Sequence, residues 1–356
     1  MIKRLLVCRS TGFDPYANLA LEEALLDRVG EGELILYLWQ NERTVVIGKN
    51  QNPWKECRTA LLNEEGGHLA RRLSGGGAVF HDLGNLNFTF LMPAGDYDLP
   101  RQLTVLERAC RSLGIPAQRS GRNDLLADGR KFSGNAFYSH AGKAYHHGTL
   151  MVDVDMERVQ RYLSPSKAKL AAKGVDSVRS RVVNLRELVP DLTIERLSDA
   201  LISALAEVYG SEPNAGTGIA CPPTRANLQV CHSEHSEESV PPTHVLPLNV
   251  DELDLRVLTE KYRSDEWLYG QKLPFTASVE ERFPWGGVEI QLNVSEGVIC
   301  AAKVYTDAME DALAPQLEAA LLNCPLRREA LRVAIDATKL DADRKADLLP
   351  LFETIL

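Results

Sequence analysis

The residues best suited to chemistry lie in one short stretch, in which two arginines precede three consecutive glycines. Its sequence is Arg71-Arg72-Leu73-Ser74-Gly75-Gly76-Gly77-Ala78-Val79-Phe80-His81-Asp82. Glycine lets the backbone approach a ligand without a Cβ in the way, and its N–H groups can form a concavity that binds anions. Arginine adds a planar, permanently charged fork that suits phosphate or carboxylate. The stretch therefore predicts a loop that holds a phosphorylated, nucleotide-containing ligand.

Neither common nucleotide-binding loop matches this stretch. A Walker A loop needs Gly-Lys followed by Ser or Thr at the start of a helix, and no such pair follows the glycines. In the dinucleotide fingerprint Gly75 and Gly77 would match, but Phe80 stands where the sixth-position glycine belongs. The apolar residues after the glycines, the turn at 82–85 and the apolar run at 86–91 predict a β-hairpin. A glycine-rich hairpin loop with incidental charges is the alternative on these residues alone.

A second polar stretch, residues 121–136, carries a lysine between tight turns. Lys131 is followed by small residues at positions 133 and 134, which leave room for a bulky ligand beside its ammonium group. An ammonium group there can neutralise an α-phosphate and polarise a carbonyl. Asn123 or Asp124 can offer oxygen to Mg²⁺, which prefers a few protein oxygens together with phosphate oxygens. A lysine that is merely solvated is the alternative.

Composition narrows the function further. The chain has 356 residues, of which 44% are hydrophobic, enough for two domains with a sizeable core. A net charge of −9 disfavours a general nucleic-acid binder, so a phosphate site must be a local basic patch. The seven cysteines show no paired framework, which predicts reduced thiols and a cytoplasmic location. Neither a signal peptide nor a membrane span is expected, and Cys231, His232 and His235 lack the spacing of metal ligands.

The order of predicted elements indicates an α+β fold with a mixed or antiparallel sheet. Strands are predicted at 2–8, 34–39, 44–48, 148–153, 288–294 and 298–305, and helices at 14–26, 101–113, 159–163, 194–209 and 250–267 and from about 308. Asp14-Pro15 is typical of a helix start, with an N-cap followed by proline. Residues 211–245 are rich in Pro, Ser, Glu and Thr, which predicts a long loop or disordered insertion.

Taken together, the motifs resemble the lipoate–protein ligase A family of the biotin/lipoate ligase superfamily. The five matching pieces are residues 71–82, 121–124 and 131–136 of the stretches described above, His146-His147-Gly148-Thr149-Leu150, and the basic segment 169–181. Arg282-Phe283-Pro284-Trp285-Gly286-Gly287 looks like the start of the family's small accessory domain.

The resemblance implies two domains. A biotin/lipoate ligase-like catalytic domain is expected over 1–272, with 211–245 as a flexible insertion. A small α+β accessory domain is expected over 277–356. Five motifs in sequence order, together with the accessory domain, are more specific than any one motif alone.

The resemblance also implies an activity. Members activate lipoate with ATP, release pyrophosphate, and pass the lipoyl group from lipoyl-AMP to a lysine of an apo lipoyl domain. The expected acceptors are the lipoyl domains of 2-oxoacid dehydrogenase acyltransferase subunits and the glycine-cleavage H protein, with no nucleic-acid or membrane partner. Mg²⁺ is the expected metal, with Asp124 as a ligand.

Site residues follow from the same resemblance. Lys131 is the expected catalytic residue. The residues expected to bind ATP and the lipoyl-adenylate are Arg72, Ser74, Gly75, Gly76, Gly77, Ala78, Val79, Phe80, Asn123, Lys131, Ser133, Lys173, Arg179 and Arg181. Those expected to bind lipoate are Arg72, Gly77, Lys131, His147 and Gly148.

Alternatives remain open at this point. Octanoyl or lipoyl transfer without ATP uses a cysteine, and one branch places it three residues before the His-Gly pair, where this chain has Ala144. Cys57 and Cys110 lie in no such motif. Biotin–protein ligation needs a basic Gly-Arg repeat that is not apparent, and a non-catalytic lipoyl-adenylate-binding module predicts binding without transfer. His81 and the pair His146-His147 are expected to be hydrogen-bonded structural residues, because no serine in a strained nucleophile turn accompanies them.

Overall fold

The computed structural model describes residues 2–121, 124–164, 182–210, 245–270 and 274–355. The strands are β1 (Arg4–Arg9), β2 (Glu33–Trp39), β3 (Thr44–Ile47), β4 (His68–Arg71), β5 (Val79–His81), β6 (Asn85–Pro93), β7 (Ala117–Ser120), β8 (Asp124–Ala127), β9 (Arg130–His140), β10 (Lys143–Met151), β11 (Val245–Pro247), β12 (Ala277–Phe283), β13 (Gly286–Ser295) and β14 (Val298–Thr306). The α-helices are Pro15–Arg28, Pro53–Glu56, Thr59–Glu64, Leu99–Ser112, Met156–Tyr162, Ile194–Gly210, Arg256–Arg263, Asp265–Tyr269, Leu313–Leu321, Arg328–Asp336 and Ala342–Leu348.

The main sheet has eight strands in the order β11-β1-β2-β6-β10-β9-β8-β7. β1 pairs in parallel with β2 and β11, whereas β6, β8, β9 and β10 pair antiparallel to their neighbours. Alternate residues of β2 enter two cores, because successive strand side chains point to opposite faces. Helices Leu99–Ser112 and Ile194–Gly210 cover one face, and helices Pro15–Arg28 and Arg256–Arg263 cover the other. The predicted α+β fold with a mixed sheet is confirmed.

The hairpin predicted after the glycines is wrong. β5 pairs with β3 in a separate three-stranded sheet, β4-β3-β5, whereas β6 lies in the main sheet between β2 and β10. The turn itself is real, since the Asp82 carboxylate accepts the Gly84 N–H at 2.9 Å. Its other oxygen accepts the Asp155 N–H, also at 2.9 Å, which ties the turn to the chain after β10. Local residues specified the turn, but pairing with distant strands decided where each arm went.

Helix termini follow the sequence closely where a cap is present. The Asp14 carboxylate accepts the Tyr16 N–H at 2.8 Å and caps the first helix, as predicted. The helix predicted over 250–267 is instead two short helices, Arg256–Arg263 and Asp265–Tyr269. Ser264 ends the first and caps the second, where its hydroxyl accepts the Trp267 N–H at 3.2 Å.

A C-terminal unit has its own hydrophobic core and its own sheet, β12-β13-β14. The sequence predicted β13 and β14 but not β12, and the helix expected from about 308 begins at Leu313. The segment after β14 touches the glycine loop, since the Gly76 N–H donates to the Ala308 carbonyl at 3.1 Å. Residues 211–244 of the predicted insertion lie outside the described residues. No helix in the described parts of the chain is long and apolar enough to cross a bilayer.

Candidate active site

A cavity of about 750 Å³ opens where the glycine loop, β9, β10 and the C-terminal unit meet. Pockets of this size are typical of small-molecule and cofactor sites. The predicted site residues in its wall are Arg72, Gly76, Gly77, Ala78, Val79, Asp124, Lys131, His147 and Gly148. The wall also includes apolar side chains of Leu19, Trp39 and Val46. The structure thus brings together three stretches that are well separated in the sequence.

Other predicted site residues are not part of this wall. Ser74, Gly75, Phe80 and Ser133 are buried or packed elsewhere. Phe80 packs on Tyr162, with ring centroids 5.5 Å apart. Asn123, Lys173, Arg179 and Arg181 lie outside the described residues.

The three glycines are required for different reasons. A Cβ on Gly75 would lie 2.4 Å from the Ala308 carbonyl oxygen, so this glycine admits the C-terminal unit. Gly76 has a φ of +87°, in the left-handed region that side chains disfavour. A Cβ on Gly77 would meet nothing within 4 Å, although Gly77 lines the cavity. Of the three, Gly77 is therefore the one whose bare backbone leaves free space for a ligand.

The buried side chain of Arg72 holds the glycine loop in place through hydrogen bonds. Its Nη2 donates to the carbonyls of Gly75 at 2.7 Å and Gly77 at 2.8 Å, and its Nε donates to the Ser74 hydroxyl at 3.0 Å. Burial lowers the pKa of its guanidinium to about 10, so the group is still a cation at neutral pH. The result is a positive charge fixed directly beneath the carbonyls of the glycine loop.

The neighbouring Arg71 has a structural role and does not face the cavity. Arg71 is buried, and its guanidinium donates to backbone carbonyls of the loop after β3 and of the helix Asp265–Tyr269. The acceptors are the carbonyls of Gly48, Lys49, Gln51, Trp267 and Leu268, at 2.6 to 3.2 Å. The sequence suggested that both adjacent arginines flank the ligand, but only Arg72 reaches the cavity. Adjacent strand residues point to opposite faces, which separates the two roles.

Lys131 enters the cavity from β9. Its backbone is held by β8 and by the Val183 N–H, which donates to the Lys131 carbonyl at 2.9 Å. The ammonium group lies 2.7 Å from an Asp124 carboxylate oxygen, and both side chains are about 40% exposed. A Cβ on Gly134 would lie 3.1 Å from the lysine Nζ. The small residue predicted beside the ammonium group is therefore what leaves room for it.

A hydrogen-bonded network that the sequence analysis missed lies beside the cavity. His147 contacts the Ser74 hydroxyl through Nε2 at 2.8 Å and the Glu22 carboxylate through Nδ1 at 2.9 Å. Glu22 is 1% exposed and comes from the first helix, which no motif marked. A buried glutamate on an otherwise apolar helix face was the available signal, because such a charge needs a partner.

His146 fits the structural role predicted for it, and His81 fits that role at only one of its two ring nitrogens. His146 is fully buried and hydrogen-bonds at both ring nitrogens, to Gln102 and Asn135, each at 2.9 Å. His81 contacts Asn41 through Nδ1 at 3.2 Å. Burial lowers the pKa of each ring to about 3, so both are neutral at physiological pH.

The apolar end of the cavity also has polar atoms without protein partners. His81 and Asn87 both line the wall, and the Nε2 of His81 and the Nδ2 of Asn87 have no hydrogen-bond partner among the described residues. Trp39 and Leu19 lie in the same wall. This part of the cavity suits a ligand that is mostly apolar and carries a weak hydrogen-bond acceptor.

The two cysteines considered for acyl transfer, Cys57 and Cys110, are poorly suited to act as nucleophiles. Cys57 and Cys110 are buried, and burial raises the pKa of each thiol to about 12. Neither residue lines the cavity. A thiol in this state supplies almost no thiolate at neutral pH, which is the nucleophilic form.

The site and fold together define a lipoate ligase-like catalytic unit followed by a smaller C-terminal unit. The model of the lipoyl protein ligase A/B catalytic domain matches residues 14–206, and that of the bacterial lipoate protein ligase C-terminus matches residues 272–349. The chain therefore belongs to the lipoyl protein ligase A/B family.

Solved structures agree with this assignment. The P. falciparum LipL1 structure in complex with lipoate is 28% identical, with a TM-score of 0.77 and 99% of each chain covered. A putative lipoate protein ligase from T. acidophilum with bound lipoic acid is 24% identical, with a TM-score of 0.57, covering 76% of this chain and 100% of that one. A lipoate-protein ligase A bound with ATP is 24% identical, with a TM-score of 0.56, covering 76% of this chain and 99% of that one. The last two show a shared fold.

Proposed function

We propose that this protein is an ATP-dependent lipoate–protein ligase. It activates lipoate to lipoyl-AMP and transfers the lipoyl group to a specific lysine of an apo lipoyl domain. The observation that carries the proposal is one cavity whose wall combines the Gly76–Gly77 backbone, the Lys131 ammonium group and an apolar end at Trp39. The lipoate and ATP named for the similar solved structures support the same ligands here.

In the proposed first step, a lipoate carboxylate oxygen attacks the α-phosphorus of ATP. The new O–P bond forms as the bond to the bridging oxygen breaks, and pyrophosphate leaves with that electron pair. The chain's own groups act by position and charge. The glycine loop offers a bare backbone and free space at Gly77, and Lys131 offers a cation to the charge that develops on the phosphate.

In the proposed second step, the lysine amine of the acceptor attacks the carbonyl carbon of the mixed anhydride. The amide C–N bond forms, the C–O bond to the phosphate breaks, AMP leaves, and the amine nitrogen loses a proton. No enzyme nucleophile is needed. In this proposal the Lys131 ammonium group lies beside the carbonyl of the mixed anhydride and polarises it.

The proposed acceptors are lipoyl domains of 2-oxoacid dehydrogenase acyltransferase subunits and of the glycine-cleavage H protein. A bi-partite lipoate protein ligase from T. acidophilum, described with its E2 lipoyl domain, supports this class of partner. The cytoplasmic location remains a prediction from the sequence.

The described residues could bind Mg²⁺ only together with the phosphates of ATP. The described residues contain no group of three His, Cys, Asp or Glu that could hold a metal ion. Asp124 is the one proposed ligand, and its carboxylate faces the Lys131 ammonium group. Mg²⁺ usually keeps waters and phosphate oxygens beside one or two carboxylates, so Asp124 would hold it together with ATP.

Transfer without ATP is the second candidate, and the buried state of Cys57 and Cys110 disfavours it. The experiment that separates the candidates incubates the protein with Mg²⁺, lipoate and an apo lipoyl domain, with and without ATP. We expect the domain to gain the mass of one lipoyl group only with ATP, together with pyrophosphate release. An acceptor domain whose target lysine is replaced by arginine is the control. A further incubation replaces ATP and lipoate with octanoyl–acyl carrier protein, and octanoyl transfer to the domain there would contradict the proposal. Lipoyl-AMP binding without transfer would favour a non-catalytic module.

A further inference from the structure

We propose that Glu22 is a positioning residue for the glycine loop and acts on Arg72 through His147 and Ser74. The inference rests on the proposed function, because the loop is the proposed site of adenylate binding. Glu22 lies in the middle of the first helix and does not itself line the cavity. It touches no ligand-facing backbone and acts only through the side chains it contacts.

The contacts form one continuous chain. The Glu22 Oε1 lies 2.7 Å from the Thr89 hydroxyl and 2.9 Å from Nδ1 of His147. Nε2 of the same ring lies 2.8 Å from the Ser74 hydroxyl. The Ser74 oxygen lies 3.0 Å from Nε of Arg72. Every member is buried, so these bonds lie in surroundings of low dielectric, where they are stronger than in water.

The donor and acceptor properties of each group fix the direction of every bond in this hydrogen-bond chain. A carboxylate only accepts hydrogen bonds, so His147 donates to Glu22 from Nδ1. In the neutral ring, Nε2 is then an acceptor, and the Ser74 hydroxyl donates to it. The Ser74 oxygen in turn accepts from the Nε–H of Arg72. Each bond therefore points from the arginine toward the glutamate.

The hydrogen-bond chain also links the buried positive charge of Arg72 to the negative charge of Glu22. Arg72 is 6% exposed, and its hydrogen bonds go to carbonyl oxygens and a hydroxyl. Among the described residues, no carboxylate lies within ion-pair distance of its guanidinium. A buried charge is costly unless an opposite charge compensates it. Burial lowers the pKa of Arg72, and Tyr145 and then Glu22 raise it by smaller amounts, so Glu22 is the nearby carboxylate that compensates the charge.

The geometry of the glycine loop depends on this placement. Arg72 holds the Gly75 and Gly77 carbonyls with Nη2, so any turn of the guanidinium moves the loop. The order Glu-His-Ser resembles that of a hydrolase triad. Ser74 is nonetheless 0% exposed and absent from the cavity wall, so it positions the loop and does not attack substrate.

The test is a double-mutant cycle with Glu22→Gln and Ser74→Ala, read as the Kd for ATP by calorimetry. Each single variant should weaken ATP binding about tenfold or more, as expected when a chain of charge-assisted hydrogen bonds is broken. The double variant should be no weaker than the worse single variant, because both changes break the same chain. Glu23→Gln is the matched control, since Glu23 is the next residue and pairs with Lys261 at 2.7 Å. It should leave the Kd unchanged.

The outcomes are distinguishable. Urea unfolding of each variant reports stability, and a purely structural role would lower it without changing the Kd of the folded protein. An unchanged Kd in Glu22→Gln, or additive effects in the double variant, overturns the inference. If Glu22→Gln does not fold, an unchanged Kd in Ser74→Ala overturns it equally. Wild-type protein that binds ATP but releases no pyrophosphate with lipoate overturns the proposed function alone.

Discussion

Replacing Lys131 with alanine should greatly slow lipoyl-AMP formation while leaving the fold intact. The lysine pairs with Asp124 at 2.7 Å, but both side chains are about 40% exposed. Exposed ion pairs contribute about 0–1 kcal/mol, so the free energy of unfolding should change by less than about 1 kcal/mol. Removing a preorganised charge from the reacting phosphate costs much more, about 10²- to 10³-fold in rate, or ~3–4 kcal/mol.

The assay is pyrophosphate release from ATP and lipoate, with no acceptor domain present. Arg130→Ala is the matched control, because Arg130 precedes Lys131 on the same strand and pairs with Glu187 at 2.9 Å. Its side chain is 34% exposed and does not line the cavity. We expect this variant to match Lys131→Ala in urea unfolding and the wild type in rate. A Lys131→Ala rate within about threefold of wild type would refute the reasoning, since it allows less than ~1 kcal/mol for the ammonium group.

The other predictions test the roles of neighbouring residues. Arg71→Lys should lower the free energy of unfolding by roughly 2–4 kcal/mol in urea titrations, because an ammonium group cannot reach all the carbonyls that the guanidinium holds; a change below the error of the titration would contradict this. Gly77→Ala should unfold like wild type but raise the KM for ATP, since its Cβ meets no protein atom and occupies the cavity; an unchanged KM would count against the proposed ligand position. Cys57→Ala should keep both pyrophosphate release and lipoyl transfer within about twofold of wild type, because the thiol is protonated and buried; loss of lipoyl transfer with pyrophosphate release intact would indicate a thiol intermediate. The free energy of unfolding should fall between pH 7 and pH 5, because His81 and His146 have pKa values of about 3 when folded and about 6.5 when unfolded, so only the unfolded state takes up protons in this range. Urea unfolding should show a loss approaching ~2–4 kcal/mol. A rise in stability toward pH 5 would contradict this expectation.

The sequence by itself determined the local features. A proline after Asp14 gave the first helix its start, and the glycines predicted a loop, because both effects act within a few residues of the chain. The turn at Asp82 was equally predictable from the sequence, since the Asp82 carboxylate accepts a hydrogen bond from the backbone two residues further on. The motifs also sufficed to indicate the family, because a ligand is held by few residue types at fixed spacing.

Only the tertiary structure decided which of these residues meet. Strand pairing placed β5 and β6 in different sheets, which the alternation of apolar residues in one segment does not encode. The same pairing turned Arg71 toward backbone carbonyls and Arg72 toward the cavity, although the two are adjacent in the chain. Glu22 joined the site from a helix with no motif, because burial of a charge is settled by what packs around it. Function therefore depends on contacts across the chain, which spacing alone does not specify.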